Sequence, residues 1–178
     1  QDRERWPQLQ PLYQVVPCTQ LSSEKETLNL IRAMRNEDFD FIIDTPGSLT
    51  QQGLLPLMFE ADAIVTPFQM EKTSVNGTTA FMDMGIMVAK ENGLDRLPPF
   101  YFLPNQFNKN WGRKNELTEQ QEFLDYFAKL GTVLPKMPNS AEIQRYSTFF
   151  LTDKQREIID KPFDMLYESV YNEKSKSA

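Results

Sequence analysis

The segment that most constrains the fold of this chain covers residues 39–47, with the sequence FDFIIDTPG. In an extended chain its apolar residues would point to both faces, which is typical of a strand buried within a parallel sheet. The pattern predicts a strand over residues 39–44, and the Thr45-Pro46-Gly47 sequence predicts a tight turn directly after it. The strand would hold Asp44 at its carboxyl end, where a carboxylate can meet the water shell of a phosphate-bound Mg²⁺.

The composition is that of a folded domain, and it excludes several classes of site. The 178 residues are 40% hydrophobic and 25% charged, and we expect one domain over residues 1–178. A net charge of −6 argues against a protein whose whole surface binds nucleic acid. The chain has no histidine, which excludes His-based metal sites and Ser/Cys–His catalysis. Its single cysteine, Cys18, cannot form an internal disulfide and suits a reducing cytoplasm, and no apolar run reaches the roughly 20 residues of a membrane span.

Predicted strands and helices alternate along the chain. Strands are predicted at residues 13–18, 39–44, 62–67, 100–103 and 132–135. Helices are predicted from the capping box at Ser23 to about Arg35, over residues 51–59, from Ser74 to Glu91, from the capping box at Thr118 to Leu130, and after Thr152. The last helix contains Pro162, which predicts a kink or a break, and a frayed polar tail is expected from about Asn172.

This alternation predicts an α/β fold, a three-layer sandwich with a mainly parallel sheet. In such sheets, ligands bind beyond the carboxyl ends of the strands. Asp44, Pro67, Asn105 and Pro135 all come at predicted strand ends, so we expect them to share one edge of the sheet.

A phosphate-binding loop is absent from the sequence. No G-x-x-x-x-G-K-[ST] motif occurs, and none of the glycines is followed by lysine. The first residue is Gln1, from which we expect that an upstream segment is missing. The chain therefore carries one half of a nucleotide site.

Four segments occur in the order and spacing of one family. FDFIIDTPG, ADAIVTPFQMEKTSVNG, FYFLPNQFN and GTVLPKMPNSAEIQRYS together resemble the ParA/MinD/Soj family of P-loop ATPases, over residues 13–171. The resemblance implies a P-loop NTPase-like sandwich whose first βα unit is missing. The family's deviant Walker A loop and its switch-I aspartate have no counterpart in this chain.

The resemblance also implies roles for particular residues. Asp44 matches the Walker B aspartate, which would hold Mg²⁺ through water, and Thr45, Pro46 and Gly47 match switch II, which senses the γ-phosphate. Asn105 matches the residue that reads adenine, with Asn108 as the alternative, and Pro135 opens the loop that packs on the base. Each has a structural alternative: a tight turn after the strand, an asparagine that holds a loop, and a proline-rich connector.

The function implied by the resemblance is that of an ATP-dependent switch. The intact protein would bind Mg·ATP, dimerise around it, and hydrolyse it slowly to partition plasmids, chromosomes or mobile elements in the bacterial cytoplasm, where it is associated with the nucleoid. A ParB-like adaptor and non-specific DNA would be its partners. We expect the chain as given to be inactive, because the lysine that neutralises phosphate charge is not in it.

Two other classes remain open. One is a nucleotide-free protein-interaction module on the same fold, and the other is a dethiobiotin-synthetase-like ligase. A central strand over residues 39–44 without its neighbour would have an open apolar edge. We therefore also expect oligomerisation or poor solubility.

Overall fold

The computed structural model describes residues 13–17, 23–45, 53–94, 97–108, 114–145, 147 and 150–177. The chain forms two compact units. The first, here called the sheet unit, comprises Gln1–Val16, Val65–Val75 and Phe100–Ala178. The second, here called the helical unit, comprises Pro17–Ile64 and Asn76–Pro99. The single domain expected for residues 1–178 stays a prediction.

The described residues contain six helices and three strands. In chain order these are α1 (Glu24–Met34), α2 (Leu54–Glu60), β1 (Ile64–Phe68), α3 (Lys72–Glu91), β2 (Phe100–Pro104), α4 (Lys114–Phe127), β3 (Thr132–Val133), α5 (Ala141–Gln144) and α6 (Asp153–Ser177). No helix in the described ranges has both the length and the apolar character needed to cross a membrane.

The three strands form one open parallel sheet in the order β1-β2-β3. In the parallel pairing of β2 with β3, Tyr101 lies opposite Thr132 and Phe102 opposite Val133. The α/β class and the parallel sheet are thus confirmed. Parallel neighbours require crossover connections, and the helices α3 and α4 supply them between successive strands.

The core of the sheet unit is built around β2, in which every residue is buried. Phe102 is 0% exposed, and its ring stacks on that of Phe127 from α4 at a centroid distance of 4.7 Å. The ring of Phe68, at the end of β1, lies 4.8 Å from the same Phe127 ring. Because both faces of β2 are buried, its sequence is a continuous apolar run.

Gly131 lies where a side chain cannot fit. A Cβ atom at this position would lie 2.4 Å from the carbonyl oxygen of Phe100 and 3.0 Å from the Phe102 ring. We expect Gly131→Ala to lower the free energy of unfolding by about 1–3 kcal/mol, because the backbone of β2 would have to shift. Urea unfolding measures this loss.

The matched control for Gly131→Ala is Gly77→Ala, which lies within α3. A Cβ at Gly77 meets nothing within 4 Å. Since alanine favours the helix over glycine by roughly 0.5–1 kcal/mol, this variant should be more stable than the wild type. Equal stability of the two variants would contradict the close approach of Gly131 to β2.

Local sequence signals set the ends of the helices in the helical unit. The Ser23 hydroxyl accepts a hydrogen bond from the Glu26 N–H at 3.3 Å, so the predicted N-cap of α1 is confirmed. At the other end of the unit, α3 stops at Glu91, as predicted. There Gly93 has φ of 65° and the Leu94 N–H donates to the Ala89 carbonyl at 2.9 Å. This is the Schellman geometry that a glycine permits.

The strand predicted over residues 39–44 is wrong. The backbone is irregular there, and the side chains are exposed: Phe39 by 76%, Ile42 by 99% and Ile43 by 44%. The strand predicted over residues 13–18 is also wrong where it is described, because residues 13–17 are irregular and exposed. An apolar segment becomes a strand only when a neighbouring strand accepts and donates its backbone hydrogen bonds, and the apolar pattern does not show whether such a neighbour exists.

Several predicted boundaries also differ from the structure. Helix α3 begins at Lys72 rather than after Ser74, α4 begins at Lys114 rather than after Thr118, and Pro67 lies inside β1 rather than ending it. Helix α6 is continuous through Pro162 and extends to Ser177, so neither a break nor a tail from Asn172 is found. A capping sequence does not by itself start a helix: Ser74 lies inside α3, and its hydroxyl accepts the N–H of Gln69, which precedes the helix.

Candidate functional site

The carboxyl edge of the sheet brings together the segments that follow β1 and β2. The backbone N–H of Asn105 donates to the carbonyl of Phe68 at 2.7 Å, so the pairing of the two strands continues to their last residues. Gln69 directly follows β1, and Asn105 and Gln106 directly follow β2. These polar residues therefore lie at the edge where parallel α/β sheets bind ligands.

Two glutamine side chains bridge this edge, and we call them the amide pair. The Nε2 group of Gln69 donates to Oε1 of Gln106 at 3.1 Å. The backbone N–H of Gln69 donates to the hydroxyl of Ser74, in the first turns of α3, at 2.9 Å. The amide pair is thus tied to the start of α3 as well as to both strand ends.

Asn105 forms a local turn with its neighbour. Its side-chain Oδ1 accepts a hydrogen bond from the backbone N–H of Gln106 at 2.8 Å. Gln106 itself has φ of 52°, in the left-handed region that few residues other than glycine adopt. This bond is the one expected of an asparagine that holds a loop, and the role of Asn105 in reading adenine stays a prediction.

The proline-rich loop after β3 lies alongside the segment after β2. The Met137 N–H donates to the Pro104 carbonyl at 2.7 Å, and the Phe107 N–H donates to the Met137 carbonyl at 2.8 Å. Phe107 and Pro138 then form an isolated parallel bridge. Asn105 and Pro135, which the sequence placed at one edge, are brought to the same edge by these bonds.

Two lysines contribute charge near this edge. The Lys136 ammonium lies 4.4 Å from the centre of the Phe107 ring, a cation–π contact. Lys72, the first residue of α3, pairs with Glu119 of α4 at 3.0 Å. Their side chains are 75% and 39% exposed, so this pair contributes at most about 1 kcal/mol to stability.

The predicted magnesium ligand lies in the helical unit. Asp44 and Thr45 are exposed and belong to the irregular segment that follows α1. Pro46 and Gly47 lie outside the described residues, so their roles stay predictions. No strand holds Asp44 in a fixed position, which corrects the rigid carboxylate expected from the sequence.

Sequence reasoning missed Gln69 and Gln106. Both follow a strand end within two residues, so the rule that ligands bind at carboxyl ends would have singled them out. Their mutual hydrogen bond joins residues 37 positions apart, and no local pattern predicts it. Asn108, the alternative to Asn105, is half-buried just beyond Phe107.

Comparisons with known proteins add no assignment to this geometry. No protein-family model matches the chain, and a comparison with curated proteins finds no match.

Proposed function

We propose that this chain is the larger part of a ParA-like, ATP-dependent switch with a P-loop NTPase-like three-layer fold. The observation that carries the proposal is the carboxyl edge of the parallel sheet. There, hydrogen bonds align the segment after β2, which contains Asn105, with the loop that begins at Pro135. These are the two segments that the family resemblance assigns to the nucleotide base, and they are adjacent although about 30 residues separate them in the sequence.

The proposed cofactors are ATP and Mg²⁺. Asp44 is the candidate ligand, acting through water, because a hard divalent cation on phosphate takes carboxylate or water oxygens. Its exposed side chain is accessible for this role. The geometry of the described residues does not build the site on its own, since Asp44 has no strand to fix it. Bound Mg²⁺ would neutralise developing charge during phosphoryl transfer, and the chain's own part is to position the nucleotide.

Partitioning of plasmids, chromosomes or mobile elements is the process that we propose for the switch. A homodimer, a ParB-like adaptor and non-specific DNA are the partners that accompany this proposal, together with a place in the bacterial cytoplasm. They rest on the four sequence segments that resemble the family.

Nucleotide binding can be tested by thermal unfolding. We expect ATP with Mg²⁺ to raise the melting temperature relative to ATP with EDTA. At ten times the Kd the gain is about 1.4 kcal/mol, or roughly 3–6 °C for a chain of this size. Asp44→Asn should remove the Mg²⁺-dependent part of the shift, and the chain should show no measurable ATP turnover.

The control for Asp44→Asn is Asp38→Asn, which makes the same charge change at an exposed residue of the same segment. It should retain the full shift. The absence of any shift in the wild type would contradict the proposed nucleotide binding. ATP turnover that disappears in Asp44→Asn would contradict the expected inactivity of the chain.

One observation favours the second candidate, a nucleotide-free interaction module. The segment over residues 39–43 exposes Phe39, Phe41, Ile42 and Ile43, which is the character of a surface that binds another protein. A wild-type chain with no response to ATP, but with a protein partner lost in Ile42→Lys, would support this candidate.

A further inference from the structure

We infer that the amide pair, Gln69 and Gln106, reads the base of the bound nucleotide, and that Asn105 positions Gln106 without touching the base. This inference rests on the proposed function and assigns its base specificity to residues other than those that the sequence indicated. The chemical class read is a purine, with adenine as the expected base.

Asn105 already uses its side-chain oxygen to hold the loop. To read adenine, an asparagine needs Oδ1 to accept from the N6 amine while Nδ2 donates to a ring nitrogen. In the structure, Oδ1 accepts the Gln106 N–H at 2.8 Å, and the Asn105 N–H is held by Phe68. A base read by Asn105 would have to share Oδ1, which has two acceptor sites, with the Gln106 N–H that holds this turn.

The amide pair still offers both kinds of group. In the hydrogen bond within the pair, one Nε2 hydrogen of Gln69 is donated to Oε1 of Gln106. This leaves the Oε1 acceptor of Gln69 and the Nε2 donors of Gln106. One acceptor and one donor are the groups that complement the N6 amine and the neighbouring ring nitrogen of adenine. Gln106 is exposed and Gln69 half-buried, so a ligand can reach both.

The pair is also held in place before any ligand binds. The left-handed φ of 52° sets the direction in which the Cα–Cβ bond of Gln106 leaves the backbone, and the Ser74 hydroxyl accepts the backbone N–H of Gln69. A non-glycine residue in this conformation costs about 1 kcal/mol or more, and such strain persists where the surroundings impose it. Preorganised amides lose less side-chain entropy on binding.

The test compares AMP with GMP, which differ only in the base, by NMR titration of the 178-residue chain. We expect the wild type to prefer AMP. Gln106→Glu replaces the Nε2 donors by acceptors, which suit the N1–H and N2 amine of guanine. The AMP-to-GMP preference should therefore fall by about tenfold or invert, since one bidentate base contact discriminates on that scale.

The Asn105→Asp variant distinguishes reading of the base by Asn105 from reading by Gln106. Aspartate keeps the acceptor for the Gln106 N–H, so the turn survives and the preference should stay within twofold of the wild type. A base read by Asn105 would instead shift with Asn105→Asp and not with Gln106→Glu, and this result would overturn the inference while leaving the proposed function intact.

The control for the added charge is Gln121→Glu, since Gln121 is an exposed glutamine on α4. It should change neither Kd. A wild-type chain that binds neither AMP nor GMP would overturn the proposed function, and the inference with it. Binding of both with equal Kd would overturn the inference alone.

Discussion

Replacing Phe127 by alanine should lower the free energy of unfolding by about 3–5 kcal/mol. Phe127 is 0% exposed, and its ring lies 4.8 Å from that of Phe68 and 4.7 Å from that of Phe102. The substitution removes the ring through which α4 packs on β1 and β2. Domains are stable by about 5–15 kcal/mol in total, so this loss is a large fraction of the whole.

Urea unfolding followed by circular dichroism measures the change as a shift of the midpoint at constant slope. The control is Leu117→Ala, on the same helix but with a side chain that is 50% exposed. It should cost less than about 0.5 kcal/mol. A Phe127→Ala variant as stable as Leu117→Ala would contradict the packing of α4 against the sheet.

The second large effect concerns association between copies of the chain. Residues 39–43 carry four large apolar side chains that are 44–99% exposed: Phe39, Phe41, Ile42 and Ile43. Phe and Ile have high β propensity, and an exposed apolar segment of this kind favours pairing with another chain. We expect the wild type to sediment as oligomers or to aggregate. The double variant Phe39→Lys, Ile42→Lys should shift it to monomer, because two like charges oppose pairing.

The control for this double variant is Met87→Lys together with Leu117→Lys, which adds the same charge at exposed apolar residues of α3 and α4. These residues lie inside helices, which cannot pair as strands with another chain, so association should be unchanged. Wild-type protein that sediments as a monodisperse monomer would count against the prediction.

The features that the sequence predicted well depend on residues close together in the chain. The N-cap at Ser23 and the stop at Gly93 each involve contacts within five positions, and both are found. The helix start predicted after Thr152 is found as well, with hydrogen bonds between Thr152 and Gln155 in both directions. Both partners of each of these hydrogen bonds lie within a few residues of each other, so a single sequence is enough to identify them.

The features that the sequence could not predict depend on partners far along the chain. The apolar pattern of residues 39–44 is that of a strand, yet whether it pairs is decided by another segment. Asn105 and Pro135 were expected at one edge and lie there, because parallel order follows from the alternation of strands and helices. The bond between Gln69 and Gln106 was not expected, since two side chains from separate loops must converge to form it.

The side chain of Gln155 has a consequence for how the end of the chain opens. It is 3% exposed; its Oε1 accepts from the Thr152 N–H, and its Nε2 donates to the carbonyl of Glu142 in α5. A helix of four residues does not persist in isolation. One amide bonds α5 and the start of α6 together, so opening of α5 or of the first turn of α6 breaks hydrogen bonds of this amide. We therefore expect α5 and the first turn of α6 to open in a single cooperative event, in which the longer helix stabilises α5.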